Sequence, residues 1–250
     1  MATILWRTGL TPELIWFGLF VFLGFTTQIA TGFGANVIAI ALGSLFLPIE
    51  TMLPILVSLN VVMTSSTITK IGVHIHKPTL FKLIFPLMLA GMILGIALLD
   101  YLSNTHLKHL LACLVLWFSI RESYKLYTMS EQKPKGKFWQ GSWTFVAGIM
   151  HGLFVSGGPI LVYALSRTSL NKAQFRATLI ATWLGLNSFY AVVLWHKGVL
   201  ENYYVQIAYY LPVLLLSLFA GQFIHKRINE ILFKKVVYAL LALSAIILLF

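Results

Sequence analysis

The sequence predicts an all-α integral membrane protein made of two inverted-topology repeats, each a broken, re-entrant helical hairpin followed by three transmembrane helices. Composition is the first observation behind this reading: 59% of the residues are hydrophobic and 10% charged, against about a quarter charged in a soluble domain. The second is a series of eight apolar units, most of them close to the roughly 20 residues that cross a bilayer as a helix. The third is a pair of Gly-rich interruptions, one in the first unit of each half. This balance excludes most soluble enzymes and all disordered scaffolds. The 18 Lys and Arg outnumber the 7 Asp and Glu, for a net charge of +11. In a soluble protein that excess would suggest nucleic acid. In a membrane protein it marks cytoplasmic loops beside anionic headgroups, so membrane lipids are expected partners and nucleic acid is not. The lone Cys113 excludes a disulfide framework, a Cys-based zinc site and an iron–sulfur cluster.

The units cover residues 13–48, 51–70, 79–101, 107–127, 142–167, 173–196, 202–225 and 231–250. No A-x-A cleavage site follows the apolar run Leu14 to Ala30, which therefore reads as an uncleaved first membrane segment. The 36 residues of the first unit would measure about 54 Å as a straight helix, well beyond a hydrocarbon core of about 30 Å. The unit breaks at Thr31-Gly32-Phe33-Gly34-Ala35-Asn36. The fifth breaks at Ser156-Gly157-Gly158-Pro159, where Gly is free of Cβ constraints and Pro suits the first turn of a new helix. The remaining units have single-helix length. Between the halves, TMSEQKPKGKFWQ (Thr128 to Gln140) reads as a solvated linker. The expected organisation is a first membrane repeat over 1–127, a cytoplasmic linker over 128–141 and a second membrane repeat over 142–250.

The halves resemble each other in order. At an offset of 124, GFTTQIATGFGAN from Gly24 falls on GIMHGLFVSGGPI from Gly148, and Ser58 falls on Thr182. His76-Lys77 recurs as His196-Lys197, and the pair Pro86 and Gly95 recurs as Pro212 and Gly221. If all eight units crossed once, Lys and Arg would divide ten against eight, and the positive-inside rule would decide nothing. If the first unit of each half returns to the side it came from, the division becomes 15 against 3, leaving only Arg7, Lys108 and Lys197 opposite the basic side. That arrangement gives three crossings per half and places the linker inside and both termini outside.

Irregular backbone within a bilayer is tolerated only beside protein or a watery cavity, and paired breaks at corresponding positions point to a transport site. Half-helices starting near Gly34 and Pro159 would aim unpaired N–H groups and positive dipole ends inward, which favours a small anion. Gln28, Thr31 and Asn36 flank the first break, and His151 and Ser156 flank or form the second. Ser58, Asn60 and Thr64 lie along the second unit, and Thr178, Thr182 and Asn187 along the sixth. A Ser or Thr hydroxyl commonly bonds its own helix backbone, whereas Asn60 and Asn187 each need a partner on another helix or in a cavity. The substrate-binding candidates are Thr31, Gly32, Gly34, Asn36, Asn60, Ser156, Gly157, Gly158, Thr182 and Asn187. His151, the only histidine well inside an apolar stretch, is a weak candidate for proton coupling. Arg176, one turn into the sixth unit, either attracts an anion or snorkels. No Walker A, G-x-S-x-G, H-x-x-x-H or EF-hand pattern occurs, so neither a catalytic residue, a cofactor nor a metal is expected.

GFGANVIAIALGSLFLP followed by ILVSLNVVMTSS, and VSGGPILVYAL followed by RATLIATWLGLNSFY, resemble the TauE/SafE family of bacterial membrane transporters, the sulfite exporter group, from about Gly18 to Leu249. Members often carry three adjacent glycines in the first break. Here Ala35 and Asn36 replace two of them, and the second break keeps only Gly157 and Gly158. The resemblance implies a multi-pass protein of the bacterial inner membrane, not an enzyme, that exports sulfite, sulfoacetate or related organosulfur anions. The alternatives are a channel or carrier for a cation or neutral solute, and a membrane enzyme or assembly factor built around His151. A homo-oligomer is compatible with either reading.

Overall fold

The computed structural model describes residues 12–127, 136–165, 168, 170–227, 238–239, 241–243, 245–247 and 249. The described residues contain helices and no strand. The first half runs α1 (Pro12–Thr31), α2 (Ala35–Gly43), α3 (Ile49–Ile71), α4 (Lys77–Leu99) and α5 (Asn104–Tyr127). The second runs α6 (Lys137–Phe154), α7 (Gly158–Leu165), α8 (Lys172–His196) and α9 (Tyr204–Arg227), and the described residues between 238 and 249 are helical. Local chemistry sets several boundaries. Pro48 precedes α3, and Pro78 sits in the first turn of α4, where its missing N–H costs nothing. At the start of α8, Asn171 and Gln174 cap each other's backbone N–H groups in a capping box.

The protein is an all-α membrane protein. Among the described residues, five stretches are long and apolar enough to cross a bilayer: Pro12–Ala30, Ile49–His74, Lys77–Leu99, Lys172–His196 and Leu200–Ile224. The expected fourth unit is one continuous helix, α5, but it is not among these five; His106, Lys108, His109, Arg121 and Glu122 interrupt its apolar sequence. The linker also differs from its expected span, because α6 begins at Lys137 and takes residues 137–141 into its first turns. Much of the eighth unit lies outside the described residues. So do Arg7, Lys133, Lys135, Arg167, Lys234 and Lys235, together with the side chains of Lys125, Lys226 and Arg227.

Although α1 has the length of a crossing, it forms a hairpin with α2. Gln28, close to the end of α1, meets Asn60, halfway along α3, so the chain turns back before the far end of α3. At the other end of the hairpin, a Cβ on Gly43 would meet Phe17 of α1 and Met52 of α3, which places the end of α2 near the starts of both helices. α6 and α7 form a second hairpin, in which Gly157 packs on Ala147 and His151.

Each hairpin is flanked by a helix of the other half. α1 packs along α9, where Gly221 lies against Ile29 and Thr26 and the Tyr210 hydroxyl donates to the Leu14 carbonyl at 2.9 Å. α6 packs along α4, where Gly91, Gly95, Gly148 and Gly152 interlock so closely that a Cβ on any of them would strike the opposite backbone. Gly95 and Gly221, the sequence counterparts, thus make counterpart seams. α3 and α8 cross between these bodies in antiparallel register: the Asn187 amide donates to Asn60 Oδ1 at 3.1 Å, and Lys70 and Arg176 line one cavity at the end of the bundle.

Lys70 and Arg176 therefore share one end, whereas eight alternating crossings would set them on opposite faces. The other end carries Asp100 and Lys197, joined at 3.6 Å. Both side chains of that pair are largely exposed, so its contribution is small. Asp100→Asn is expected to leave the melting temperature of purified protein unchanged within measurement error.

Candidate functional site

The two helix breaks meet at the centre of the bundle. Gly32 and Gly34 carry φ of 95° and 107°, a left-handed backbone that lets α1 turn directly into α2. The second break uses Val155, at φ 51°, which is strained for a β-branched residue. A hydrogen bond from Asn36 Nδ2 to the Val155 carbonyl, at 2.9 Å, joins the breaks to each other.

Around this junction lies a chain of carboxamides. Gln28 Oε1 accepts from the Ala35 N–H at the start of α2 (3.2 Å) and from Asn60 Nδ2 (3.3 Å). Asn60 Nδ2 also approaches Asn36 Oδ1 at 3.4 Å. Asn187 Nδ2 donates to Asn60 Oδ1 and to the Trp183 carbonyl one turn back. All four amides are at most 5% exposed. They border a cavity of about 20 Å³, together with Gly34, His151, Val155, Ser156, Gly158 and Trp183. Among the described residues, neither a carboxylate nor a basic side chain other than the His151 imidazole lines it.

Four polar atoms of these lining residues are buried without a hydrogen bond of normal geometry, Gln28 Nε2, both ring nitrogens of His151 and Asn187 Oδ1, although the His151 ring and the Asn187 side chain lie close enough to interact with each other. Burial of an unpartnered polar group costs about 1–3 kcal/mol, and such a group in a folded protein calls for a bound water, ion or ligand. Their convergence on one void concentrates that demand. The His151 ring lies beside the Asn187 amide and stacks on Trp183, with centroids 5.6 Å apart. Trp183 in turn donates its indole N–H to the Gly32 carbonyl at 3.2 Å, bracing the first break from α8. A void of this size holds about one water molecule, so the space at the centre is smaller than a four-heavy-atom oxyanion.

Of the sequence candidates, Gly34, Asn36, Asn60, His151, Ser156, Gly158 and Asn187 border the cavity. Three others do not. Gly32 faces the Arg176 side chain, Gly157 packs against α6, and the Thr182 hydroxyl is spent on the Thr178 carbonyl of its own helix at 2.8 Å. The side chain of Thr31 lies outside the described residues. Trp183 belongs to the site but reads in the sequence as an ordinary apolar helix residue. Its spacing of four from Asn187 is the signal that places both on one helix face. Gln28, named above only as flanking the break, is a bonding partner of both Ala35 and Asn60.

Comparison with known proteins adds one match. A family model described as "Sulfite exporter TauE/SafE" matches residues 16–248. No curated protein and no solved structure matches.

Proposed function

The chain belongs to the sulfite exporter TauE/SafE family, and from that premise we propose that it is a secondary transporter that exports small sulfur oxyanions, sulfite or sulfonates such as sulfoacetate, by alternating access. The observation that carries this reading is the carboxamide cavity with its unpartnered donors. Gln28 Nε2 and a His151 N–H supply neutral hydrogen-bond donors, and the starts of α2 and α7 add backbone N–H groups with the positive ends of their dipoles. Among the described residues a cation would find no carboxylate there. Neutral donors suit a carrier, since they bind an anion strongly enough for selection and weakly enough for release. His151, beside the Asn187 amide and stacked on Trp183, is the candidate for coupling a proton to this site.

The antiparallel register of α3 and α8 and the crosswise pairing of the hairpins support two inverted repeats on either side of a linker. In this reading, movement of one hairpin against the other opens the cavity alternately to the two sides. The basic end, with Lys70 and Arg176, faces the cytoplasm, and the Asp100 end faces outward. Cysteine labelling in intact cells is expected to leave Gln132→Cys protected from an impermeant reagent and to modify a cysteine appended after Phe250.

Gly158→Val tests the site directly. A Cβ there would meet only Trp183 and Phe33 at ordinary contact distances of 3.6 Å or more, and the residue sits at a helix start with an unexceptional φ. The fold should survive while the extra methyls fill the void. Loss of sulfite counterflow in proteoliposomes, with a monodisperse protein, is the expected result; wild-type counterflow would remove the cavity as the site. Gly34→Val is expected to lose both transport and stability, because its φ of 107° is hostile to any β-branched residue.

A further inference from the structure

We propose that the protein holds a second oxyanion site, at the basic end of the bundle and separate from the carboxamide cavity. A cavity of about 320 Å³ lies there, lined by Ile29, Ser66, Thr67, Lys70, Arg176 and Gln222 among others. It draws these groups from four helices: the end of α1, the end of α3, the start of α8 and the end of α9. Among the described residues, two permanent cations and an amide line it, and no carboxylate does. Among the described residues neither Lys70 nor Arg176 has an acidic partner, and Arg176 Nε is buried without a hydrogen bond. Two like charges around one void repel each other unless an anion occupies it. A planar guanidinium and a mobile ammonium are also the pair of groups best suited to a compact oxyanion. The ligand class is therefore a singly or doubly charged oxyanion of sulfur or phosphorus, whether free in solution or carried on a lipid headgroup.

This site communicates with the first break. Arg176 Nη2 donates to the Ile29 carbonyl at 2.6 Å, and the Arg176 side chain covers Gly32, where an added Cβ would meet its Cγ at 3.1 Å. Arg176, Trp183 and Asn187 follow one another at spacings of seven and four, which keeps them on one face of α8. Eleven residues separate Arg176 from Asn187, a rise of about 16 Å. The geometry gives an anion a charged holding place one passage away from a neutral cavity. That role in a transport path rests on the function proposed above, whereas the binding site itself does not.

The test is sulfite binding by the full-length protein in nanodiscs of phosphatidylcholine, measured by titration calorimetry at low ionic strength in the Gly158→Val background, where the central cavity is filled. Sulfite is expected to bind, with affinity reduced about tenfold or more by Arg176→Gln and several-fold by Lys70→Gln. Arg176→Lys, which keeps the charge but loses the fork, should fall between Arg176→Gln and the parent. Lys70 is exposed and has no partner to lose among the described residues, so Lys70→Gln remains informative if Arg176→Gln misfolds. A parallel arm retains phosphatidylglycerol in native mass spectrometry. Retention that is lost in Lys70→Gln and Arg176→Gln, with no binding of free sulfite, would assign the same site to a lipid phosphate. Binding of both ligands unchanged by all three substitutions, or binding of neither, overturns the proposal. Loss of transport in Gly158→Val with binding intact would leave both readings standing, and retained transport would remove the central cavity alone.

Discussion

Asn60→Leu is expected to slow sulfite counterflow severely while the protein still inserts into the membrane. Asn60 is the hub of the carboxamide chain: its amide group serves Gln28 and Asn36 of its own half and accepts from Asn187 of the other. Leucine has nearly the same volume but can neither donate nor accept. Gln28 would lose one of the two donors to its carbonyl, and Asn187 Nδ2 would keep only the Trp183 carbonyl. Asn36 Oδ1 would lose its donor outright, and a buried group left unpaired costs about 1–3 kcal/mol, enough to lower the melting temperature without unfolding a protein whose seams lie elsewhere. The cost to transport should be larger. The cavity depends on fixed amide orientations, and losing them is expected to slow counterflow about a hundredfold, equivalent to ~2.7 kcal/mol. Asn187→Leu should behave alike, and the double substitution should cost little more than either alone, because both remove one shared network. Additive losses, or transport close to wild type in either single variant, would mean that the amides serve packing only.

The largest loss of stability is expected from Gly148→Leu. A Cβ on Gly148 would lie 2.8 Å from Met88 Cα, and one on Gly152 equally close to Gly95 Cα. These obstacles are backbone atoms, which no rotamer change can remove. The α4–α6 seam would have to open along its length, losing close contacts and leaving the hairpin of the second half without its flank. Overpacking in a flexible core costs about 1–3 kcal/mol; here the upper end or beyond is expected. In fluorescence-detected size-exclusion chromatography Gly148→Leu should give little monodisperse protein. Gly141→Ala is the control. An added Cβ there meets only the tip of Leu87 at 3.4 Å, and a normal elution profile is expected.

How much of this was legible in the sequence depends on the kind of signal. The breaks were legible because Gly32, Gly34 and Ser156 to Gly158 interrupt apolar sequence where no helix should end. The shared end of Lys70 and Arg176 was legible because charge cannot be hidden in lipid. Asn60 and Asn187 were legible as amides needing partners, and they proved to be partners of each other. What stayed hidden is what depends on rotation about a helix axis. Thr182 and Asn187 sit close together on α8, yet one hydroxyl closes on its own backbone while the amide reaches the centre. Trp183 carries no polar warning, although its indole N–H fixes the Gly32 carbonyl. The Gly91, Gly95, Gly148 and Gly152 interlock was also hidden, because membrane helices contain many glycines and only the opposing backbone tells which ones are indispensable.

The crosswise seams set a schedule for biosynthesis. α1 finds its long flank only in α9, which emerges almost two hundred residues later. At ribosomal rates of about 5–20 residues per second, the first hairpin spends on the order of ten seconds or more in the membrane without that neighbour. During that wait Asn36 lacks the Val155 carbonyl and Asn60 lacks Asn187, and the face of α1 that will meet Gly221 stands open. The nascent chain therefore passes through a half-built state in which its most polar intramembrane groups are its least protected, and its yield in cells depends on whatever shelters that hairpin until the last helices arrive.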